Sequence, residues 1–264
     1  MNEPDSSLAY PHPRMLESTR KHLLDSIDDA AAVLDIGGWA DPFARANWVI
    51  DLMPYETRGM YEREGWVGAR QERERFTRDT WIVRDLCSHE PYPFGDDEFD
   101  FVICAQTLED LRDPIWVCHE INRIGKAGYI EVPSRLEEQS WGVAGPFVGW
   151  SHHRWLIDIS DGRINFSQKL HSIHARPDQH FPAGFWHALS EEERIQTLRW
   201  EGTFAYGERI TLDAEESNRY LSDFVTRELA KRKQGQVPAK AGPSAIGKAR
   251  RLAGGLRARA RQQR

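Results

Sequence analysis

Val33-Leu34-Asp35-Ile36-Gly37-Gly38-Trp39-Ala40-Asp41-Pro42 is the stretch from which the fold of this 264-residue chain is read. The apolar run from Ala30 to Ile36 is short, β-branched near its end and closed by two glycines, the pattern of a parallel strand covered on both faces. A glycine turn after such a strand lets a ligand approach the backbone closely.

Downstream, Trp48-Val49-Ile50-Asp51-Leu52 is a second short apolar run ending beside an acid. Only about ten residues separate it from the first run, too few for a full crossover helix, so a trimmed helix or a loop is expected between them. Trp81-Ile82-Val83, Phe101-Val102-Ile103-Cys104-Ala105 and Tyr129-Ile130-Glu131-Val132-Pro133 supply three more strands. Between the last two, Leu108, Leu111, Ile115, Trp116, Cys118 and Ile121 repeat at helical spacing. Upstream, residues 1–12 read as a loose arm, and Pro13 to Ile27 as a helix packed before the first strand. The fold class expected is α/β: a Rossmann-like open, mostly parallel sheet with helices on both faces, an antiparallel edge hairpin and a C-terminal extension. Ligands of such sheets lie beyond the carboxyl ends of the strands, where Asp35, Asp51, Asp85 and Gln106 fall.

With 40% hydrophobic and 29% charged residues, the composition is that of a globular protein. No apolar run approaches the ~18 residues of a membrane span, and Met1-Asn2-Glu3-Pro4-Asp5 does not begin a signal peptide, so a cytoplasmic location is expected. Cys87, Cys104 and Cys118 lack C-x-x-C spacing and read as reduced structural thiols. The net charge of −6 is uneven, because residues 235–264 hold eight Lys and Arg and no acid. The rest is therefore strongly acidic, which argues against a nucleic-acid partner.

Charge also separates the candidate ligands. A dinucleotide sets its pyrophosphate on the glycine turn, where the Asp35 carboxylate would repel it. S-adenosylmethionine has no phosphate and carries an ammonium and a sulfonium, which an acid beside the turn attracts. Asp51, at the end of the second strand, is in register with Asp35 and suits the two hydroxyls of a ribose, with Leu52 beside it.

These residues bring a family into view. Residues 30–133 resemble the core of the class I S-adenosylmethionine-dependent methyltransferases, close to the methyltransferase type 11 branch. The resemblance rests on Val-Leu-Asp-Ile-Gly-Gly at 33–38, Asp51, Asp85 nine residues before Phe94, Phe99-Asp100-Phe101-Val102-Ile103, Gln106-Thr107-Leu108-Glu109-Asp110 with Asp113-Pro114, and Glu120-x-x-Arg123 ahead of Gly128. It implies that Asp35, Gly37 and Gly38 line the methionine end of the cofactor and that Asp51 holds the ribose. It further implies that Asp85 and Leu86 border the adenine and that Gln106 lies on the sulfonium side. The chain departs from the family pattern at Trp39, where a third glycine is usual, and at Gln106 to Asp110, where His-x-Leu-Glu-His is usual. An indole at position 39 would narrow the cofactor cleft or refill it.

After Pro133 the resemblance fades, and the substrate-specific parts are expected there. Ser134 to Gly149 reads as a long loop over the sheet edge. Leu156-Ile157-Asp158-Ile159-Ser160 and Ile164-Asn165-Phe166-Ser167 flank Asp161-Gly162, a strong hairpin signal. Ahead of it, His152 and His153 are candidate general bases, only one of which enters a site if the backbone is extended. Arg135 and Arg154 are candidate anchors for an anionic acceptor group, with Glu109 a further acceptor-binding residue. The trio His152-His153-Arg154 equally fits a polar cap over an aromatic cluster. His171, His174 and His180 match no metal-ligand spacing, so no metal is expected. Ser190-Glu191-Glu192-Glu193 opens a short helix, Thr203 to Leu212 alternates like a strand, and Asp213 starts a helix to about Lys233.

Three sections follow: a cofactor-binding core at 1–133, a substrate-side completion of the same domain at 134–234, and a basic tail at 235–264. The activity expected is methyl transfer from S-adenosylmethionine to an oxygen or nitrogen of a small molecule, with a saccharide, glycolipid or natural product a better match than nucleic acid. The tail suits loose contact with an anionic membrane surface. The rival reading is a non-catalytic module of the same fold, its cleft filled by Trp39.

Overall fold

The structure, a computed structural model, describes residues 14–234. The arm and the basic tail read from the sequence lie outside the described residues. The elements are α1 (Glu17–Ser26), β1 (Val33–Ile36), β2 (Trp48–Asp51), α2 (Met60–Arg63), β3 (Trp81–Val83), β4 (Phe101–Ala105), α3 (Pro114–Ile124) and β5 (Ala127–Pro133). They continue as α4 (Arg135–Glu138), β6 (Trp155–Ser160), β7 (Arg163–Gln168), β8 (Ile195–Glu201), β9 (Ala205–Glu208) and α5 (Ala214–Lys233).

Six strands form a sheet in the order β3-β2-β1-β4-β5-β8. The first five are parallel, with Leu34 opposite both Trp48 and Val102. The chain winds outward one way from β1 to β3, then the other way through β4 and β5, so the strand order reverses at β1 and β4. That reversal opens a crevice at their carboxyl ends.

Each face has its own apolar layer. On one, Met15 and Leu23 pack with Val33, Val49, Phe101 and Ile103. On the other, Val117, Cys118, Ile121 and Ile124 of α3 pack with Leu34, Ile36, Val102 and Ile130. Because both faces are covered, β1 and β4 are buried at every position. α3 starts where Asp113 Oδ1 accepts from Trp116 N at 3.0 Å with Pro114 at the first helical position, and stops at Gly125. Burying each large aliphatic side chain of its inner face contributes roughly 1.5–3 kcal/mol. The three cysteines are buried free thiols.

The connection from β1 to β2 is a loop with no helix, as its length requires. A loop leaves backbone donors that a helix would have paired, and Asp35 Oδ2 accepts one of them, Phe43 N, at 2.9 Å.

Beyond Pro133 the arrangement differs from the sequence reading. The Asp161-Gly162 hairpin forms, with both residues at positive φ (51° and 73°) as its tight turn demands, but it is not the edge of the main sheet. β6, β7 and β9 make a separate three-stranded sheet, whose Ile157, Ile164 and Phe166 pack into the layer under α3. The antiparallel edge strand is β8, paired with β5 from Ala127–Glu201 to Pro133–Ile195. Its sequence alternates, burying Leu198 and Trp200 while exposing Thr197 and Arg199. The helix expected at Ser190 is a single tight turn, Glu192–Arg194, and the strand expected over 203–212 is only β9. Where a long loop is expected, α4 makes one helical turn, capped by Ser134 Oγ accepting from Glu137 N at 3.3 Å.

Candidate active site

Gly37 sits at φ +71° and donates its N–H to Ile50 O at 2.9 Å, so β1 ends in a left-handed turn braced on β2. A Cβ there would lie 2.3 Å from Thr107 Oγ1, so only glycine fits. Gly38 is needed for another reason: its Cβ would lie 2.5 Å from Asp35 Oδ2.

Asp35 itself is not in the site. It is fully buried, and Arg14 grips it with Nη1–Oδ2 at 3.0 Å and Nη2–Oδ1 at 2.8 Å. Arg14 also donates to Ala105 O and Ile36 O, both at 2.8 Å. Asp35 therefore faces away from the crevice and neutralises a buried guanidinium, and Gly38 packs upon it, so neither lines the cavity as expected. A carboxylate in the middle of a core strand needs a local partner, and Arg14 supplies it.

The crevice holds a cavity of about 430 Å³. One wall comes from the strand ends and their loops: Gly37, Trp39, Asp51, Leu52, Asp85, Leu86 and Gln106. Asp51 Oδ2 accepts from Trp39 N at 2.9 Å and Oδ1 from Met53 N at 2.8 Å, which fixes the carboxylate while each oxygen keeps a lone pair. Burial raises its pKa. Asp85 Oδ2 lies 2.7 Å from Arg112 Nη2, and that hydrogen bond lowers its pKa. Gln106, at φ +46°, donates its N–H to Glu131 O at 2.8 Å and so turns into the cavity at the end of β4. The Trp39 indole donates Nε1–H to Thr57 Oγ1 at 3.0 Å and packs on the layer around Phe43. It forms a wall and leaves the cavity open.

The other wall comes from the turn after β4 and from the second half: Glu109, Asp110, Glu137, Trp150, His152, His153 and Arg194. Here the sequence reading needs correction. His152 lies in a turn, not an extended strand, so both histidines line the cavity, their rings 4.5 Å apart. Arg135 does not line it. That guanidinium bonds Gln139 Oε1 at 2.8 Å and Asp158 Oδ2 at 3.1 Å, and lies 4.0 Å from the Phe224 ring centre, because the first turn of α4 points it beneath the second sheet. Arg154 is exposed and absent from the cavity wall; its backbone N–H donates to Glu109 O at 2.8 Å and ties the two loops together. Glu109 is buried in the wall, and burial beside Asp110 pushes its pKa well above the carboxylate range. Of the histidines at 171, 174 and 180, His174 Nδ1 accepts from Val148 N at 3.0 Å, and the His180 ring lies tilted against Trp141, the ring centres 5.3 Å apart.

Two neighbouring acids not singled out from the sequence support this wall, Glu137 in the lining and Glu138 behind it. Glu137 accepts from Trp150 Nε1 at 2.6 Å, and burial pushes its pKa up to about 8. Glu138, one residue on, lies 2.7 Å from both His153 Nδ1 and Lys169 Nζ, and despite its burial these cations bring it down to about 2. A carboxylate only accepts, so His153 carries a proton on Nδ1, and the neutral form of the ring presents its lone pair at Nε2, on the side of Asp110. The cue available in the sequence is the capping-box pattern Ser134-x-x-Glu137 in an otherwise aromatic stretch.

The family model described as a methyltransferase domain matches residues 66–130, from ahead of β3 into the middle of β5. That stretch of the chain is similar to a methyltransferase domain. No curated protein matches the chain. Among solved structures, it is similar to the MccD protein, at 16% identity over 47% of this chain and 56% of that one, with a TM-score of 0.34. It is also similar to a SAM-dependent methyltransferase from Aquifex aeolicus (16% identity, 53% of this chain and 78% of that one, TM-score 0.33) and to an S-adenosylmethionine-dependent methyltransferase from Mesorhizobium loti (13%, 56% and 62%, 0.31). The chain thus spans little more than half the length of the MccD protein.

The cofactor implied by this match is S-adenosylmethionine, and the cavity's donor set fits it. Five carboxyl side chains, Asp51, Asp85, Glu109, Asp110 and Glu137, line the cavity against one guanidinium, Arg194, on the wall away from the glycine turn. Burial keeps Glu109 and Glu137 largely protonated and Asp85 is paired with Arg112, so the negative character of the wall rests on Asp51 and Asp110, which favour a cationic sulfonium over a pyrophosphate. The charge selectivity inferred from Asp35 is therefore carried by other acids.

Proposed function

We propose that the chain transfers the methyl group of S-adenosylmethionine to an oxygen or nitrogen of a small molecule. The observation that carries this reading is the single cavity shared by Asp51 and Gln106 at the strand ends and by Glu137, Trp150 and His153 from the second half. Bound donor would lie along the first wall, with Asp51 on its ribose hydroxyls and Asp85 and Leu86 beside its adenine. The methyl-bearing sulfur would then face the second wall.

A cavity of about 430 Å³ lies at the small end of ligand pockets and leaves room for a compact acceptor group beside the donor. Aromatic Trp150 with hydrogen-bonding Glu137 and Arg194 suits a hydroxylated acceptor such as a saccharide or a natural product. Methyl transfer is an in-line displacement: the acceptor lone pair forms the new bond as the carbon–sulfur bond breaks, and S-adenosylhomocysteine leaves neutral. Holding the two reactants in line supplies much of the acceleration. The acceptor's proton must also leave, and the Nε2 lone pair of His153, oriented by Glu138, is the group at hand to take it. His152, half-exposed and without such a partner, serves as the subsidiary base.

Calorimetric titration with S-adenosylhomocysteine, with NAD as control, tests the reading. Micromolar binding is expected, weakened at least tenfold by Asp51→Ala, since hydrogen bonds to a charged group contribute roughly 1.5–3 kcal/mol. A folded protein that binds neither ligand would overturn it.

A further inference from the structure

Asp110, His152 and His153 converge on one point of the cavity wall. Nε2 of each histidine lies 3.9 Å from Asp110 Oδ1, and no two of the three atoms are more than 4.8 Å apart. Nitrogen and oxygen ligands held at about 2.1 Å from one ion are at most about 4.2 Å apart. Closing the trio on an ion therefore takes a shift of a few tenths of an ångström, and His152, in an exposed turn, is free to make it.

The surroundings are those of a ligand set. A metal-binding imidazole characteristically donates its other N–H to a carboxylate, which fixes the tautomer and orients the ring. His153 does this with Glu138 at 2.7 Å, and Glu138 is held in turn by Lys169, whose Nζ also donates to Trp150 O at 2.8 Å. The Arg154–Glu109 backbone bond joins the segment carrying the histidines to the turn carrying Asp110. A second, independent observation points the same way. Glu109 lines the same cavity, is 1% exposed, and its Oε2 has no hydrogen-bond partner among the described residues. A buried carboxylate oxygen without a donor is costly, and a cation or its bound water beside Asp110 would supply what is missing.

We infer that Asp110, His152 and His153 bind a first-row divalent transition-metal ion, whose remaining coordination positions open to an oxygen of the acceptor. Two imidazoles and one carboxylate suit Mn²⁺, Fe²⁺, Co²⁺ or Zn²⁺, whereas Mg²⁺ and Ca²⁺ prefer all-oxygen sites. Binding of the ion stands independently of methyl transfer; the acceptor's place on it rests on that reading. With an ion present the His153 lone pair would be a ligand, and the metal would supply Lewis-acid polarisation of a bound acceptor hydroxyl, whose proton would pass to solvent water.

The experiment is titration of the untagged, chelator-treated full chain with Co²⁺, followed by visible absorption, and with Mn²⁺ and Mg²⁺ by calorimetry. S-adenosylhomocysteine titrations run in parallel. One equivalent of Co²⁺ bound at micromolar Kd is expected, with Mg²⁺ at least tenfold weaker. His152→Ala, at an exposed turn that the fold does not depend on, is expected to weaken Co²⁺ at least tenfold, and Glu138→Gln about 10–100-fold. Absence of stoichiometric Co²⁺ binding by wild type that binds S-adenosylhomocysteine overturns the metal site and leaves the methyltransferase reading intact. Co²⁺ binding unchanged in His152→Ala overturns it as well. Loss of S-adenosylhomocysteine binding alone counts against the methyltransferase reading and not against the metal.

Discussion

Arg14 Nη2 lies 2.8 Å from Asp35 Oδ1, and both side chains are buried. The pair joins the segment before α1 to the middle of β1, and Asp35 also holds the loop that replaces the first crossover helix through Phe43 N. Removing one member leaves the other charged and unpaired in the core. Arg14→Met is expected to cost about 3–5 kcal/mol in urea-induced unfolding. The cost of combining it with Asp35→Asn should fall well short of the sum of the single changes. A loss under about 1 kcal/mol for Arg14→Met would show that the pair does not hold the core.

Glu137 and Glu138 titrate in opposite directions. The pKa of Glu137 is raised from 4.5 to about 8 by burial, so the folded state binds a proton that the unfolded chain releases between those values. Stability from this group is full below pH 4.5 and declines toward pH 8, by up to ~1.4 kcal/mol per pH unit. Glu137→Gln should therefore gain in Tm over wild type as pH rises from 5 to 8. Glu138, lowered to about 2, contributes stability that is present above 4.5 and lost as pH falls toward 2. Glu138→Gln should be destabilised most at neutral pH, and the gap to wild type should close in acid. Parallel curves for both variants would contradict the assignment.

Trp39 stands where the related pattern has glycine. With its indole tied to Thr57, it is expected to wall the cofactor rather than block it. Trp39→Phe should keep the S-adenosylhomocysteine Kd within about threefold, and Trp39→Gly should weaken it. Tighter binding by Trp39→Gly would mean that the indole occupies the cleft.

Arg135 is a structural residue in this fold. Arg135→Met leaves Asp158 without its guanidinium and the rings of Tyr220 and Phe224 without their cation, and should cost ~2–4 kcal/mol. Cofactor affinity, measured on the folded variant, should be unchanged; a selective loss of binding would return Arg135 to the site.

The family match begins at residue 66, after the glycine turn and both of the first two strands. Before that point the first crossover is a loop without a helix, held by polar contacts such as Phe43 N to Asp35 Oδ2, and Trp39 follows the two glycines. The five parallel strands were nonetheless legible from apolar runs at the right spacing. β8 was not, since Ile195 to Trp200 alternates across an exposed edge and resembles a surface segment until its partner β5 is known.

By itself the sequence determined the parallel sheet, the glycine turn and the acids at the strand ends, because burial on both faces and tight turning leave their mark on consecutive residues. Tertiary structure alone decided which acids face the crevice. Asp35 meets Arg14, 21 positions away, and His153 meets Glu138 15 positions earlier and Asp110 on another loop. A carboxylate's role is set by the charge nearest to it in space, and neither periodicity nor spacing along the chain records that distance.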